Sequence, residues 1–371
     1  MADSILITGG AGFIGRYVAR ALLERGDRVR VLDSLIEQVH GERTKPEGLD
    51  PEVEVVLGDV RDEAIVAKSL KGVDKVVHLA AEVGVGQSMY AVDRYVSVND
   101  YGTAVLFQQL IDNPVKRVVV ASSMSIYGEG LYRTADGAVV EDVVRKPRTG
   151  ADEPWDPLGP DGKPLVPVAT PEWKRPTLAS VYALTKYVQE RLTLTLAPAY
   201  GMEGVALRLW NVYGPGQALS NPYTGVLAIF SSRLHNGQPP MIFEDGRQRR
   251  DFVHVEDIAQ AFALALDHER APGQVYNVGS GQDRSVSEVA QLLAEAMHRT
   301  GLDPEITGKA RIGDIRHCIA DISKICDELG YAPRRNFSEG LAELAEWVAK
   351  QEAKDRVHEA RKELEARGLV A

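Results

Sequence analysis

The chain has 371 residues, enough to bury a full core in one large domain or two, and its 44% apolar and 26% charged residues are those of an ordinary globular protein. A formal net charge of −10, with no basic face or lysine/arginine run, excludes a general affinity for nucleic acid or an anionic membrane, so a polyanionic ligand has to meet a local cationic site. Cys318 and Cys326 make neither a metal spacing nor a disulfide framework, no run approaches a membrane span, and Met1-Ala2-Asp3-Ser4 leads straight into an apolar strand, which sets the expectation of a cytoplasmic protein without metal.

The first element is the apolar run Ile5-Leu6-Ile7-Thr8, which empties into Gly9-x-x-Gly12-x-x-Gly15 and refills as a helix from Arg16 to Glu24. Glycine admits positive φ and lets backbone approach a diphosphate, and the third glycine lets the helix sit close on its strand. The free N–H groups of the first helical turn and the positive end of the helix dipole then receive phosphates. A second strand, Arg28 to Leu32, ends in Asp33 about twenty residues on, the context that a dinucleotide-binding βαβ unit demands. A carboxylate there accepts from the adenosine ribose hydroxyls and repels a 2′-phosphate, and no arginine follows it, so NAD is favoured over NADP.

Strands over 53–59 and 73–79, a helix over 63–70, a long helix from about Val98 to Ile111, strand Val118 to Ala121, a helix from about Ser180 to Tyr200 and strand Gly204 to Leu209 continue the alternation. This predicts an α/β fold with a doubly wound parallel sheet. Residues 1–206 are expected to form the dinucleotide domain, and 207–371 a smaller, mainly substrate-binding domain with some elements returning to the sheet. Between them, about 129–178 is a proline-rich insertion with a hairpin around Asp161-Gly162, either a lid over the pocket or a decoration of its rim. In the second half, strands are expected around Met241 to Phe243, Asp251 to Val255 and Val275 to Val278, and helices over 256–268, over 287–299 with Ser285 as cap, and from Ser338, with a charged terminal helix after Gln351.

Tyr182-x-x-x-Lys186 puts a phenol and an ammonium on one helix face. A free tyrosine has a pKa near 10, too high for a base at neutral pH; a neighbouring ammonium and a positive nicotinamide ring favour the phenolate. Ser122-Ser123-Met124-Ser125 follows a buried strand and places hydroxyls at the carboxyl end of the sheet, where open α/β sheets bind ligands. Asp59, at the end of the third strand beside Val60, is either an adenine contact or a turn-forming residue.

On Thr8 to Gly15, His78-Leu79-Ala80-Ala81, Asn99 to Thr103, Ala121 to Gly128, Tyr182 to Lys186, Arg208 to Gln217 and Arg250 to Val255, the chain resembles the extended short-chain dehydrogenase/reductases that act on nucleotide sugars. The resemblance implies Ser123 as catalytic hydroxyl, Tyr182 as acid/base and Lys186 as its partner and a ribose ligand. It implies Gly9, Gly12, Phe13, Ile14, Gly15, Asp33, Asp59, Val60, Leu79, Ala80, Ala81 and Asn99 around NAD, Ser123, Ser125 and Tyr182 at the sugar, and Asn211 and Arg250 at the substrate diphosphate. Relatives that eliminate water carry an Asp-Glu pair where this chain has Met124-Ser125, and decarboxylating relatives carry Glu at the Ser125 position, so the pattern is similar to the 4-epimerases. The insertion and the Val83-to-Tyr90 stretch are similar to the branch that interconverts dTDP-L-rhamnose and dTDP-6-deoxy-L-talose. UDP-hexose or UDP-glucuronate 4-epimerases, and a 4-ketosugar reductase or a lyase using Glu141 or Asp142, remain alternatives. Relatives pair through the two long helices, which implies a homodimer, although Val105, Leu106, Leu184, Val188 and Leu192 serve equally as the chain's own core.

Overall fold

The computed structural model describes residues 2–41, 48–145, 153–223, 225–311, 313–352 and 355–370. Its centre is a sheet of seven parallel strands in the order Val275–Val278, Glu203–Leu209, Arg117–Ser123, Lys75–His78, Ser4–Thr8, Arg28–Asp33, Glu54–Leu57. The strand order reverses at Ser4–Thr8, and in such sheets ligands bind outside the carboxyl ends at that switch point. Strands Ser4–Thr8, Lys75–His78 and Arg117–Ser123 are buried along their whole length, which explains their unbroken apolar runs. Helix Phe13–Glu24 packs on helix Val255–Asp267 over one face, while helices Gly102–Asp112 and Val181–Ala199 cover the other. The last strand comes from the second half of the chain, and position 206 lies inside strand Glu203–Leu209.

One expected helix is two segments. Val96–Tyr101 forms a π-helical turn that passes into helix Gly102–Asp112, because Asn99 leaves the helical pattern to serve buried backbone. Of the helix residues that were candidates for either a dimer face or core, Val105 and Leu106 are core, whereas Leu184 is 45% exposed. Val92, Val96 and Tyr101 are exposed on the neighbouring segment.

A second sheet takes Asn211–Tyr213, Arg249–His254, His317–Ala320, Val166–Thr170, Leu131–Arg133 and Val139–Val140 in that order, with Asp283–Ser285 antiparallel to Arg249–His254. Half of that path belongs to the proline-rich insertion. Its turn at Asp161-Gly162 is closed by Gly159 N–H donating to Lys163 O at 2.8 Å and by a bridge from Leu158 to Pro164. The insertion is pinned to the main body. Lys174 Nζ donates to Tyr127 O at 2.8 Å, and Thr177 N–H to Ile126 O at 2.9 Å. Residues 146–152 of the insertion lie outside the described residues. Ser285 caps helix Val286–Ala296, its Oγ accepting from Glu288 N–H at 3.1 Å. Among the described residues no helix is long and apolar enough to cross a membrane. Cys318 and Cys326 are both free thiols.

Candidate active site

A cleft of about 1010 Å³ opens at the carboxyl ends of the parallel strands and runs onto the second sheet. Every residue singled out from the sequence for cofactor or substrate lines it, with one exception. Asn99 is fully buried behind the wall: its Oδ1 accepts from Glu82 N–H at 2.7 Å, and its Nδ2 donates to Glu82 O and to Thr185 Oγ1. It holds the loop that lines the cleft and does not itself face a ligand there.

The glycine turn has the shape of a phosphate cradle. Gly9 sits at φ +69°, and a Cβ on it would lie 2.8 Å from Ala80 Cα; a Cβ on Gly15 would lie 2.5 Å from Gly10 Cα. A Cβ on Gly12 would meet only Gly9 O, at 3.3 Å, and otherwise project into open space. Gly12 caps helix Phe13–Glu24 without a side chain, and no acidic residue occupies the first turn, so the N-terminal amides remain for an anion. Asp33 is buried at the end of its strand; Oδ2 accepts from Ala11 N–H at 3.0 Å, Oδ1 from Leu35 N–H at 2.9 Å, and His40 Nε2 stands 3.6 Å from Oδ1. Asp59 is less free than the sequence suggested. Arg61 grips its carboxylate at 2.9 and 2.6 Å, which holds the acid below its ordinary range, so the turn-forming reading applies to the carboxylate itself.

Strand alternation sends the two serines at 122 and 123 in opposite directions. Ser122 Oγ turns back to donate to Glu190 Oε2 at 2.7 Å, inside a buried pair in which Arg208 bonds both Glu190 oxygens. Ser123 faces the cleft. It caps the short turn Met124–Tyr127, where its Oγ accepts from Ser125 N–H at 3.2 Å and Ser125 Oγ at 2.9 Å. With its lone pairs so occupied, its proton is left to turn toward the Tyr182 phenol, whose ionised form it favours.

Tyr182 lies in the first turn of helix Val181–Ala199, capped by Ser180, and its own N–H donates to Ser88 Oγ at 3.0 Å. Burial pushes the phenol above its ordinary value, and the hydrogen bond from Ser123 pulls it part of the way back. Lys186 follows on the same face, but its ammonium donates to Gln189 Oε1 at 2.7 Å, and burial lowers it to about 7 while Glu190 opposes. Of the two charges expected to favour the phenolate, the ammonium and the nicotinamide ring, the first is thus turned to another partner. In the protein by itself the amine is committed to Gln189, and desolvation dominates at the tyrosine.

That lysine contact has a consequence behind the site. With Gln189 Oε1 taken, its Nε2 donates to Thr103 Oγ1 at 2.9 Å and to Ala80 O at 3.2 Å, beside a His78 ring whose Nε2 meets Thr103 Oγ1 at 2.8 Å and whose Nδ1 meets Thr8 Oγ1 at 2.6 Å. His78 is fully buried and its pKa falls to about 3, so it is neutral. Gln189 leaves no trace in the Tyr-x-x-x-Lys spacing, although it lies three residues beyond the lysine on the buried face.

Beyond Ser123 the wall turns cationic. Arg250 donates to the carbonyls of Arg249 and Arg316 at 2.8 and 2.9 Å and to Ile315 O, and has no carboxylate partner among the described residues. Its positive charge is therefore held rigid but not neutralised. Arg311 and Asp314, paired at 2.8 Å, and Arg361 also line the cleft and escaped the sequence reading. Trp210 Nε1, Asn211 Oδ1, Gln217 Oε1 and Gln248 Oε1, all on cleft-lining residues, are buried without a protein partner among the described residues, as befits a polar ligand. No described residue of the insertion lines the cleft, so Glu141 and Asp142 are not placed to act there. The insertion builds the second sheet instead of roofing the site.

A glycine cradle ending in a buried aspartate, and a Ser–Tyr pair aimed at one spot with a lysine beneath, define a dinucleotide-dependent enzyme that acts on a hydroxyl-bearing carbon. The comparisons narrow the class. The chain belongs to the NAD-dependent epimerase/dehydratase family, whose model matches residues 5–149 and 160–279. It is 34% identical over 351 residues to a dTDP-L-rhamnose 4-epimerase of Burkholderia thailandensis, covering 94% of this chain and 95% of that protein. Among solved structures it is similar to a UDP-glucose 4-epimerase of Thermotoga maritima with UDP-glucose (31% identity, TM-score 0.75, 94% and 99% of the two chains). It is also similar to a UDP-glucose 4-epimerase of Thermus thermophilus in complex with NAD (30% identity, TM-score 0.74, 94% and 100%). The chain is thus an NAD-dependent enzyme of the nucleotide-sugar 4-epimerase and dehydratase kind, and the cradle, Asp33 and the uncapped helix start fit that cofactor.

Proposed function

We propose that the protein is a 4-epimerase of a nucleotide-activated hexose, with dTDP-L-rhamnose and dTDP-6-deoxy-L-talose as its substrate pair. The observation that carries this is that Ser123, Ser125 and Tyr182 line the cleft together, with Met124 and Ser125 in the two places beside Ser123 where elimination or decarboxylation needs a carboxylic acid. NAD, when bound, accepts a hydride from C4 of the sugar and returns it to the opposite face. Everything else falls to this chain's side chains.

The amides of Phe13 and Ile14 hold the cofactor diphosphate, and Asp33 the adenosine ribose. Arg250 and Asn211 hold the substrate diphosphate, so the hexose alone is left beside Tyr182 and is free to turn. Ser123 donates to the sugar oxygen, and Tyr182 Oη takes the C4 hydroxyl proton and later gives it back. Because burial raises the phenol in the protein alone, the positive charge that lowers it would come from the oxidised cofactor and from Lys186, one helical turn along the same helix. The exposed apolar residues Val92, Val96, Tyr101 and Leu184, on three helical segments packed against one another, support a homodimer formed through this face.

The test is to incubate purified protein, without added cofactor, with dTDP-L-rhamnose, UDP-glucose, UDP-galactose and UDP-glucuronate and to follow each by proton NMR. Conversion of dTDP-L-rhamnose to its C4 epimer is expected. Conversion of a UDP sugar alone replaces the substrate assignment, and no conversion of any sugar overturns the epimerase reading.

A further inference from the structure

In a nucleotide sugar the order is fixed by covalent bonds: hexose, diphosphate, ribose, base. If the hexose lies at Tyr182 and the diphosphate at Arg250, the base reaches the end of the cleft beyond Arg250. There the lining changes character, to Ile229, Phe230, Met241, Phe243, Trp347 and Leu364, a largely apolar slot with three aromatic side chains, one of which, Phe243, lies under the Arg311 guanidinium at 4.6 Å.

One wall of this slot is the last helix, Val357–Ala366, which presents Val357, Ala360, Arg361 and Leu364 to the cleft. The helix is tied to both sides of the mouth. Leu364 packs against Gly86, and Arg367 stacks on Tyr90 at 4.6 Å, on the side of the cofactor loop. On the other side Asp355 pairs with the buried Arg233 at 3.2 Å, Glu365 with Lys309 at 3.0 Å, and Val370 bridges to Arg311.

Arg361 stands out within that wall. Glu365 holds its Nε at 2.9 Å, while its Nη1 meets only the thioether of Met241, at 3.4 Å, and Nη2 has no acceptor among the described residues. A half-buried guanidinium fixed at one edge therefore offers its other N–H groups to an apolar slot. Such a group is a donor without acceptor capacity.

We infer that Arg361 reads the nucleobase of the substrate, donating to a ring carbonyl, and so selects bases with a carbonyl at that edge over bases with an amino group there. This rests on the nucleotide-sugar reading above. Thymine and uracil carry a carbonyl at C4, where cytosine carries an amine. An amine facing Arg361 leaves two donors opposed, with a desolvation cost on both. The residue is a specificity determinant, remote from the proton transfer at Tyr182.

The experiment is isothermal titration of the full-length protein with UDP and with CDP, which differ at that edge alone, for the wild type, Arg361→Met and Arg361→Lys. The wild type is expected to bind UDP at least about tenfold more tightly than CDP, the size of one charged hydrogen bond. Arg361→Met is expected to weaken UDP, leave CDP as tight or tighter and bring the ratio to within about twofold, with Arg361→Lys in between. Retention of the UDP preference in Arg361→Met, or equal weakening of both nucleotides, overturns the inference and leaves the epimerase reading standing. Failure of the wild type to bind either nucleotide overturns both.

Discussion

The two walls of the cleft are made in different ways. On the cofactor side, the groups that face the ligand come from the ends of adjacent parallel strands, and backbone does most of the work. Asp33 is oriented by Ala11 N–H, Gly9 rests on Ala80, and the lysine–glutamine–histidine network packs the space behind. On the substrate side, Asn211, Arg250, Arg311 and Arg361 come from four separate segments: the first two from strands of the second sheet, which strands of the insertion extend, Arg311 from a segment bridged to Val370, and Arg361 from the last helix. The first wall is rigid by local geometry. The second is assembled by long-range contacts, and it is the side on which relatives that share the cofactor wall have room to differ in what they bind.

Substitutions sharpen this contrast. The largest effect is expected at the join between the walls: Tyr182→Phe removes the phenol proposed to carry the proton and should lower kcat by about 10³-fold or more, with bound NAD and the thermal midpoint retained. Next comes the substrate wall. Arg250→Ala should raise KM for the nucleotide sugar by about 10- to 100-fold, the loss of a charge-assisted contact, with a much smaller change in kcat and none in NAD content. An equal fall in NAD content would mean that the walls are not separable.

On the cofactor wall, Gly9→Ala should cost about 1–3 kcal/mol of stability, since φ is +69° and Ala80 backbone stands 2.8 Å from the new Cβ. Urea unfolding and the NAD recovered after denaturation would show it. The histidine behind that wall gives a pH signature of similar size. His78 is held down to about 3 in the folded chain against about 6.5 unfolded, so below 6.5 the unfolded state binds the extra proton and folding stability falls as pH falls. Between pH 7 and pH 5 this one residue should remove about 2 kcal/mol, read as a lower urea midpoint; an unchanged or higher midpoint at pH 5 would contradict a neutral His78. The smallest catalytic effect is expected at the outer face, where Leu184→Glu should split the proposed dimer in light scattering and leave kcat within about twofold.

The same contrast decides what could be read from the chain. Gly9, Gly12, Gly15 and Asp33 sit within one βαβ unit, and Tyr182 and Lys186 within one helical turn, so short-range spacing exposes them. Asn99 carries a motif position but spends its amide on Glu82, a choice visible only when the π-turn is seen. The strand pairing of Val166–Thr170 with His317–Ala320 joins segments far apart in sequence, and strands of two to five residues among prolines have no period to betray them. Arg311 and Arg361 look like any other basic residues on paper. Their place in the cleft follows from packing of the C-terminal elements across its mouth.

The central claim is that hydride leaves C4 and returns to the same carbon within one active site, with Tyr182 carrying the proton. Its most direct test is to give purified protein, in ordinary water and without added NAD, a nucleotide hexose it turns over, deuterated at C4, and to follow the label in both epimers by mass spectrometry. Full retention of deuterium at C4 in both epimers is expected, with one pyridine nucleotide recovered per chain after denaturation. Loss of the label to solvent, or a requirement for free NAD in each turnover, would contradict the account.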